Sequence, residues 1–337
     1  MKPISLIATA SSMPAHVVAN DHFDIASTTG PMFKGTKERR HMQHDERSAD
    51  MIMDATEKLC DRLNIDGSKD IDIILTNVSL PDLPFTGCGA EIAHRLGANP
   101  RWVLDVHNTG CVSFVFMMEL ARSLMATSNA KSALICNVQT AAGRVFGQKS
   151  NLKEAQSAVP GDGCGVGYLV ANDESPVQSI ITRTFGEFAC DMQISTPDER
   201  KWWQPGETSF KIDFSRRKVG SIVRRANTLV PNIINEACEQ ASITKNDIDL
   251  LVTNQPNPVF LRNWREALEV PEAKHIDTFA EYGNLFGAAI PVSFERAVMQ
   301  RQVKPGSKVI LGGFSHAGDY AAAAVVDWQA RSASTKN

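Results

Sequence analysis

The chain has no apolar run as long as a membrane span: its longest are broken by Asp72, Glu119 or Arg122, short of the ~18 residues such a span needs. No basic-then-apolar leader is expected, as Met1-Lys2-Pro3 runs straight into a strand-like segment, Ile4 to Ala10. Positive charge is not in surplus. The 35 Lys and Arg against 38 Asp and Glu leave a net charge of −3, so no global field draws in nucleic acid or an acidic membrane. With 22 Gly and 16 Pro among 337 residues, the chain is neither collagen-like nor of low complexity. Seven cysteines (60, 88, 111, 136, 164, 190 and 238) include no pair at C-x-x-C spacing, and their number is odd. Metal ribbons, redox dithiols and a complete disulfide framework therefore have no support, and no metal site is expected. Most of the thiols should pack as small hydrophobes. What the chain does have is 43% apolar residues, enough for two core-forming domains or one large duplicated body. We expect a soluble, cytoplasmic protein with no nucleic-acid or membrane partner.

The sequence repeats itself. Asp70-Ile-Asp-Ile-Ile-Leu-Thr-Asn77 recurs as Asp247-Ile-Asp-Leu-Leu-Val-Thr-Asn254, and each copy follows a helical pattern, about Ala49 to Leu63 and Ile222 to Ala241. Short runs of β-branched residues and leucine mark strands covered on both faces. Downstream, Trp102 to Asp105 and His275 to Asp277 read as strands. Apolar helices follow at about Cys111 to Thr127 and Leu285 to Arg301, then strands at Ser132 to Asn137 and Lys308 to Phe314. Two such halves, 1–175 and 176–337, predict an α/β body in which helices lie between and outside two sheets. Residues from about Ser179 to Ser221, including Trp202 and Trp203, read as an irregular connection.

Functional groups gather outside the carboxyl ends of strands in such bodies. One strand-to-helix loop reads Asp105-Val-His-Asn-Thr-Gly-Cys111, placing Cys111 at the start of a helix that is apolar on nearly every face. There a thiol meets the positive end of the helix dipole and unpaired N–H groups, which favour thiolate. The alternative is an inert core cysteine, the expectation for Cys60 and Cys238. The matching loop carries Tyr282-Gly283-Asn284, where Asn284 is also suited to capping a helix. Two further loops end strands: Asn254-Gln-Pro-Asn257, and the run from Gly312 through Phe314, Ser315, His316 and Ala317 to Gly318. Pro160-Gly-Asp-Gly-Cys-Gly165 lacks G-x-G-x-x-G spacing and reads as a turn entering a strand, not a phosphate cradle.

Together, Cys111 opening a buried helix, the Gln255-Pro-Asn257 loop, Tyr282-Gly-Asn284 and the Gly161-Asp-Gly-Cys-Gly165 run resemble the ketoacyl synthase III branch of the thiolase-fold enzymes. Gly35-Thr-Lys-Glu-Arg39 resembles that family's segment Thr-Gly-Ile-Arg-Glu-Arg. The resemblance spans nearly the whole chain. It implies a thiolase-like duplicated αβαβα layered fold, a homodimer and no permanently bound cofactor. It also implies that Cys111 takes an acyl group from a thioester of coenzyme A or of an acyl carrier protein's phosphopantetheine. Oxyanion donors would be the Cys111 N–H and one N–H in the loop of Phe314, Ser315, His316, Ala317 and Gly318. Asn284 matches the family's catalytic asparagine.

Departures from the family pattern shape the functional expectation. Asn254 stands where the family has its catalytic histidine, and an asparagine exchanges no proton near neutral pH. His316 stands in the oxyanion loop and His107 precedes the nucleophile, where the family has small residues. His316 is a candidate displaced base, the alternative being a histidine hydrogen-bonded for packing. Phe33 and Lys37 are rough counterparts of the family's coenzyme A entrance, whose usual arginine is replaced by Val259. Arg216-Arg217-Lys218 and Arg224-Arg225 either meet an acidic carrier protein or form a solvated face. The leading expectation is an acyltransferase of specialised metabolism that loads Cys111 and passes the acyl group to a hydroxyl, amine or carbon acceptor on a small molecule. The alternatives are a decarboxylative condensing enzyme using a malonyl thioester, and a non-catalytic partner of a ketosynthase.

Overall fold

The computed structural model describes residues 3–23, 35–83, 85–107, 109–195, 201, 204, 211–213 and 216–329. A first sheet contains β1 (Ser5–Ser12), β2 (Ile73–Val78), β3 (Trp102–Asp105), β4 (Ser132–Gln139) and β5 (Gly163–Val170), in spatial order β1-β5-β4-β2-β3. A second contains β6 (Val177–Thr184), β7 (Leu250–Thr253), β8 (Ser307–Ser315) and β9 (Tyr320–Trp328), in order β7-β8-β9-β6. In the first sheet β2 runs parallel to β4, and β5 lies antiparallel between β4 and β1. In the second β7 runs parallel to β8, and β9 lies antiparallel between β8 and β6. The repeated octapeptides thus supply equivalent strands, β2 and β7.

Besides a single helical turn at Phe279–Tyr282, the α-helices among the described residues are α1 (Ser48–Leu63), α2 (Gly89–Arg95), α3 (Ser113–Ala126), α4 (Arg216–Gln240), α5 (Pro258–Ala267) and α6 (Ala289–Met299). Strand side chains alternate between faces, so Ile73 and Leu75 point to one side of the first sheet and Ile74 to the other. The inward residues Ile73, Leu75, Ala133 and Ile135 meet Val252, Val309, Leu311 and Ala324 of the second sheet, with Phe114, Met117 and Met118 of α3 and Ile290 and Phe294 of α6 between them. On the outside, Ile52 and Leu59 of α1 cover Ile74 and Leu134. On the opposite outside, Ile234 of α4 and Trp264 of α5 cover Leu251 and Ile310. The five layers therefore run helix, sheet, helix, sheet, helix. Each large side chain fully buried there contributes about 1.5–3 kcal/mol relative to exposure.

The second sheet has no counterpart of β3. His275 to Asp277, expected as a strand, makes one bridge, from His275 to Leu251. Gln255 explains the interruption: its side-chain Nε2 donates to the Ile276 carbonyl at 3.3 Å, and its Oε1 accepts the Thr278 N–H at 3.1 Å. A side chain thus satisfies backbone groups that a ladder would otherwise pair. The expected irregular connection also shrinks, because Ser179 lies within β6 and α4 begins at Arg216 rather than near Ile222. Between them Gln193–Ser195 pairs with Lys211–Asp213, while Trp202 and Trp203 lie outside the described residues.

Candidate active site

Both central helices are entered through a single 3-10 turn, Gly110–Val112 before α3 and Phe286–Ala288 before α6. The two turns pack directly on each other. A Cβ on Gly287 would stand 2.5 Å from Ser113 Oγ and 2.8 Å from the Gly110 carbonyl, so only glycine allows this approach. Ser113 Oγ donates to the Gly110 carbonyl at 2.7 Å, and Asn137 Nδ2 of β4 donates to Ser113 Oγ. The carboxyl end of the first sheet thereby supports the loop carrying Cys111.

The His316 N–H, the Asn254 side-chain amide and the residue's own N–H act on the Cys111 sulfur in the direction of thiolate. Burial outweighs them, and the nearby Asp319 carboxylate adds to the shift, so the thiol is pushed up to about 12. That reverses the expectation that the helix start lowers it. Cys111 nevertheless keeps some exposed surface. Its N–H, expected as a free oxyanion donor, donates to Ser315 Oγ at 3.1 Å.

Asn254, fully buried at the end of β7, pairs with the Phe314 backbone in both directions. Its Nδ2 donates to the Phe314 carbonyl at 3.1 Å and its Oδ1 accepts the Phe314 N–H at 3.3 Å. Asn254 thus fastens the end of β8, from which the 316–319 turn leads off. Asn284 Oδ1 accepts the Phe286 N–H at 3.0 Å, a cap on the turn into α6. Its Nδ2 makes no hydrogen bond among the described residues and is an uncommitted neutral donor.

His316 adopts the left-handed region, with φ of 48°, where non-glycine residues are uncommon and cluster at functional sites. Its Nδ1 lies 3.2 and 3.1 Å from the two Asp319 oxygens. Its Nε2 projects over Gly110, 2.8 Å from where a Cβ there would stand. Gly110, with φ of 46°, leaves room for both this ring and Ser315 Oγ. Across the loop, Gly318 N–H closes on the Ser315 carbonyl at 2.8 Å. The Ala317 carbonyl accepts from Arg225 of α4, whose guanidinium also bonds Asp191 at 2.9 Å and lies 3.3 Å above the Phe188 ring.

The remaining candidates are placed as follows. His107 is exposed and makes no side-chain hydrogen bond among the described residues. Phe33 lies outside the described residues; Lys37 is exposed and Val259 half-buried. The side chains of Arg216 and Arg217 lie outside the description as well. Arg224 is exposed, whereas Arg225 turns inward and is not a solvated charge. Asp162 of the glycine-containing run accepts N–H groups from Met42, Ala142 and Gly143, so the run opens β5 as a turn with a buried carboxylate. Burial outweighs those donors and pushes this carboxyl up to about 6. Cys238 is buried in α4, and burial pushes its thiol up to about 11. Among the described residues no three His, Cys, Asp or Glu side chains converge as a metal site needs. No helix there is long and apolar enough to cross a membrane. Asp319 is the site residue that sequence reasoning missed, its one signal being the three-residue spacing from His316; Ser315 was expected in the oxyanion loop, and Arg225 on a carrier-facing or solvated surface.

Residues 104–186 match the family model described as 3-Oxoacyl-[acyl-carrier-protein (ACP)] synthase III, and residues 238–328 match that of the same synthase's C-terminal part, together just over half the chain. A beta-ketoacyl-[acyl-carrier-protein] synthase III of Clostridium perfringens is 26% identical over 321 residues, covering 93% of this chain and 96% of its own. That of Lactobacillus helveticus is 28% identical over 321 residues, covering 92% and 94%. In fold, the crystal structure of 3-oxoacyl-(acyl carrier protein) synthase III from Pseudomonas aeruginosa PAO1 superposes with a TM-score of 0.82 at 20% identity, covering 97% of this chain and 98% of that one.

Proposed function

We propose, from the premise that the chain belongs to the 3-oxoacyl-[acyl-carrier-protein] synthase III family, that it joins an acyl group held on Cys111 to a malonyl thioester with loss of CO2. This ordering corrects the expectation that put transfer to a hydroxyl or amine first, because the relatives are named for ketoacyl synthesis. The observation that supports it is the placing of Cys111 at the start of α3 beside the 314–319 loop, where the His316 N–H and the Asn254 amide favour its thiolate.

Cys111 attacks the donor thioester carbonyl, from coenzyme A or an acyl carrier protein, and the thiol of the donor leaves. With its thiol pushed up to about 12, Cys111 is protonated at neutral pH, so this attack needs a base. His316 supplies it through Nε2. The His316 N–H is the oxyanion donor that remains, since Ser315 Oγ engages the Cys111 N–H. In the second half-reaction CO2 leaves and charge grows on the malonyl thioester oxygen. The uncommitted Asn284 Nδ2 stabilises that charge as a neutral donor, and Asn254 holds the loop. Halves at 1–175 and 176–337, and a homodimer as the working assembly, complete the proposal.

A second reading keeps the same acyl-enzyme but delivers the acyl group to a hydroxyl or amine. Asn254 in place of a proton-exchanging residue, with His316 beside the nucleophile loop, favours it. Incubation with acyl-CoA and malonyl-carrier protein, read by mass spectrometry with CO2 capture, separates the two. The proposal predicts a β-ketoacyl product with stoichiometric CO2. An acyl-enzyme that releases no CO2 and acylates an added alcohol or amine would overturn it in favour of the second reading.

A further inference from the structure

We propose that Asp319 is a positioning residue for His316, so that Cys111, His316 and Asp319 work as one proton-transfer unit; this rests on reading Cys111 as the acyl-accepting nucleophile. The geometry is fixed from several sides. Asp319 is buried, at 7% exposure, and both carboxylate oxygens face His316 Nδ1 at 3.1–3.2 Å. Its own backbone is held because its carbonyl accepts the Phe185 N–H at 2.7 Å. Arg225 holds the Ala317 carbonyl between the two residues, and the Tyr320 ring meets the imidazole edge-on at 6.1 Å. Such fixation keeps a non-glycine residue at positive φ, a conformation that costs about 1–3 kcal/mol and persists only where surroundings impose it.

The chemistry follows from which nitrogen carries the proton. A carboxylate at Nδ1 selects the tautomer with Nδ1–H, leaving the Nε2 lone pair free over Gly110, the residue before Cys111. The S–H bond of Cys111 breaks as Nε2–H forms, and the thiolate bonds to the thioester carbon. The carbon–sulfur bond to the carrier then breaks, and the departing thiolate takes the proton from Nε2. Imidazole, carboxylate and proton count are thereby restored. The charged and titratable groups facing the ring are Asp319 from its own loop and Tyr320 from β9, and the ring overhangs Gly110, next to Cys111 in the turn before α3. Arg225 from α4 approaches the loop with its charge paired to Asp191.

The test reads Cys111 reactivity without needing the natural substrate. Wild type, Asp319→Asn, Asp319→Glu and His316→Gln are alkylated with iodoacetamide from about pH 5.5 to about 9.5, and the Cys111 peptide is quantified by mass spectrometry. Acetyl-CoA loading is measured in parallel, and melting curves report folding. In wild type, alkylation rises through one step to a plateau within that range. In Asp319→Asn the rate at pH 7 falls about 100-fold and climbs tenfold per pH unit without a plateau. His316→Gln reproduces that profile, and Asp319→Glu restores the plateau. An unaltered profile in Asp319→Asn would overturn the inference. So would equal losses in Asp319→Asn and Asp319→Glu with the plateau retained. If the alkylation pattern holds but no acetyl adduct forms, the condensing reading fails while the Asp319 assignment stands.

Discussion

At the scale of single residues, burial rather than partner choice sets the proton affinities. Cys111 has several donors and is still pushed up to about 12, and Asp162 has three and is pushed up to about 6. The same cause acts on histidines with the opposite sign. His275 lies beneath β7 against Thr253 Oγ1 at 2.9 Å, and burial lowers it to about 3; burial lowers His41 to about 4. The unfolded chain takes up these protons from the ordinary value of 6.5 downward and the folded chain does not, so stability falls as pH drops through that range. Between pH 7 and pH 5 each histidine costs about 2 kcal/mol, and the raised Asp162, protonated first in the folded state, returns about 1 kcal/mol. Urea unfolding should therefore give a net loss of about 3 kcal/mol at pH 5 relative to pH 7. An unchanged midpoint would mean that these histidines are already charged in the folded protein. At this scale Cys111, Asn254 and Asn284 were legible because their types and loop positions carry the chemistry. The role of Asn254 was not, because a two-way bond to the Phe314 backbone joins residues 60 positions apart.

At the scale of elements, the loop between β8 and β9 is a largely buried turn held from a neighbouring helix. The anchor is α4, through Arg225. In the sequence, Arg224 and Arg225 look alike as a charged pair. Adjacent helical residues point about 100° apart, so one faces solvent while the other reaches the loop, and charge counting alone cannot tell them apart. Replacing Arg225 by Ala removes the bond to the Ala317 carbonyl and leaves Asp191 with only Lys218, 3.7 Å away. We expect a stability loss of about 1–3 kcal/mol. Hydrogen exchange at residues 314–319 should quicken, and Cys111 acylation should slow. Unchanged exchange in that segment would show that the loop holds itself. A similar limit hid the end of the repeat: the apolar run at His275 reads as a strand, and only Gln255 filling backbone positions prevents one.

At the scale of the whole molecule, the repeat and the apolar runs made the five layers legible. A helix apolar on nearly every face has to lie between two sheets, and α3 and α6 do. Where the two turns leading into them touch, through Gly287 and Gly110, the halves of the duplicated body create the site; neither half carries it alone. Sequence spacing has no access to that contact, which is why the pairing of Asp319 with His316 and of Ser315 with the Cys111 N–H shows only in three dimensions. The claim on which the account turns is that Cys111 is an acyl-accepting thiol. Intact-protein mass spectrometry of wild type and Cys111→Ala after exposure to acyl-CoA tests it directly. The account predicts a single acyl increment on wild type, located on the Cys111 peptide and absent from the variant. An unmodified wild type, or an increment of equal size on Cys111→Ala, would contradict it.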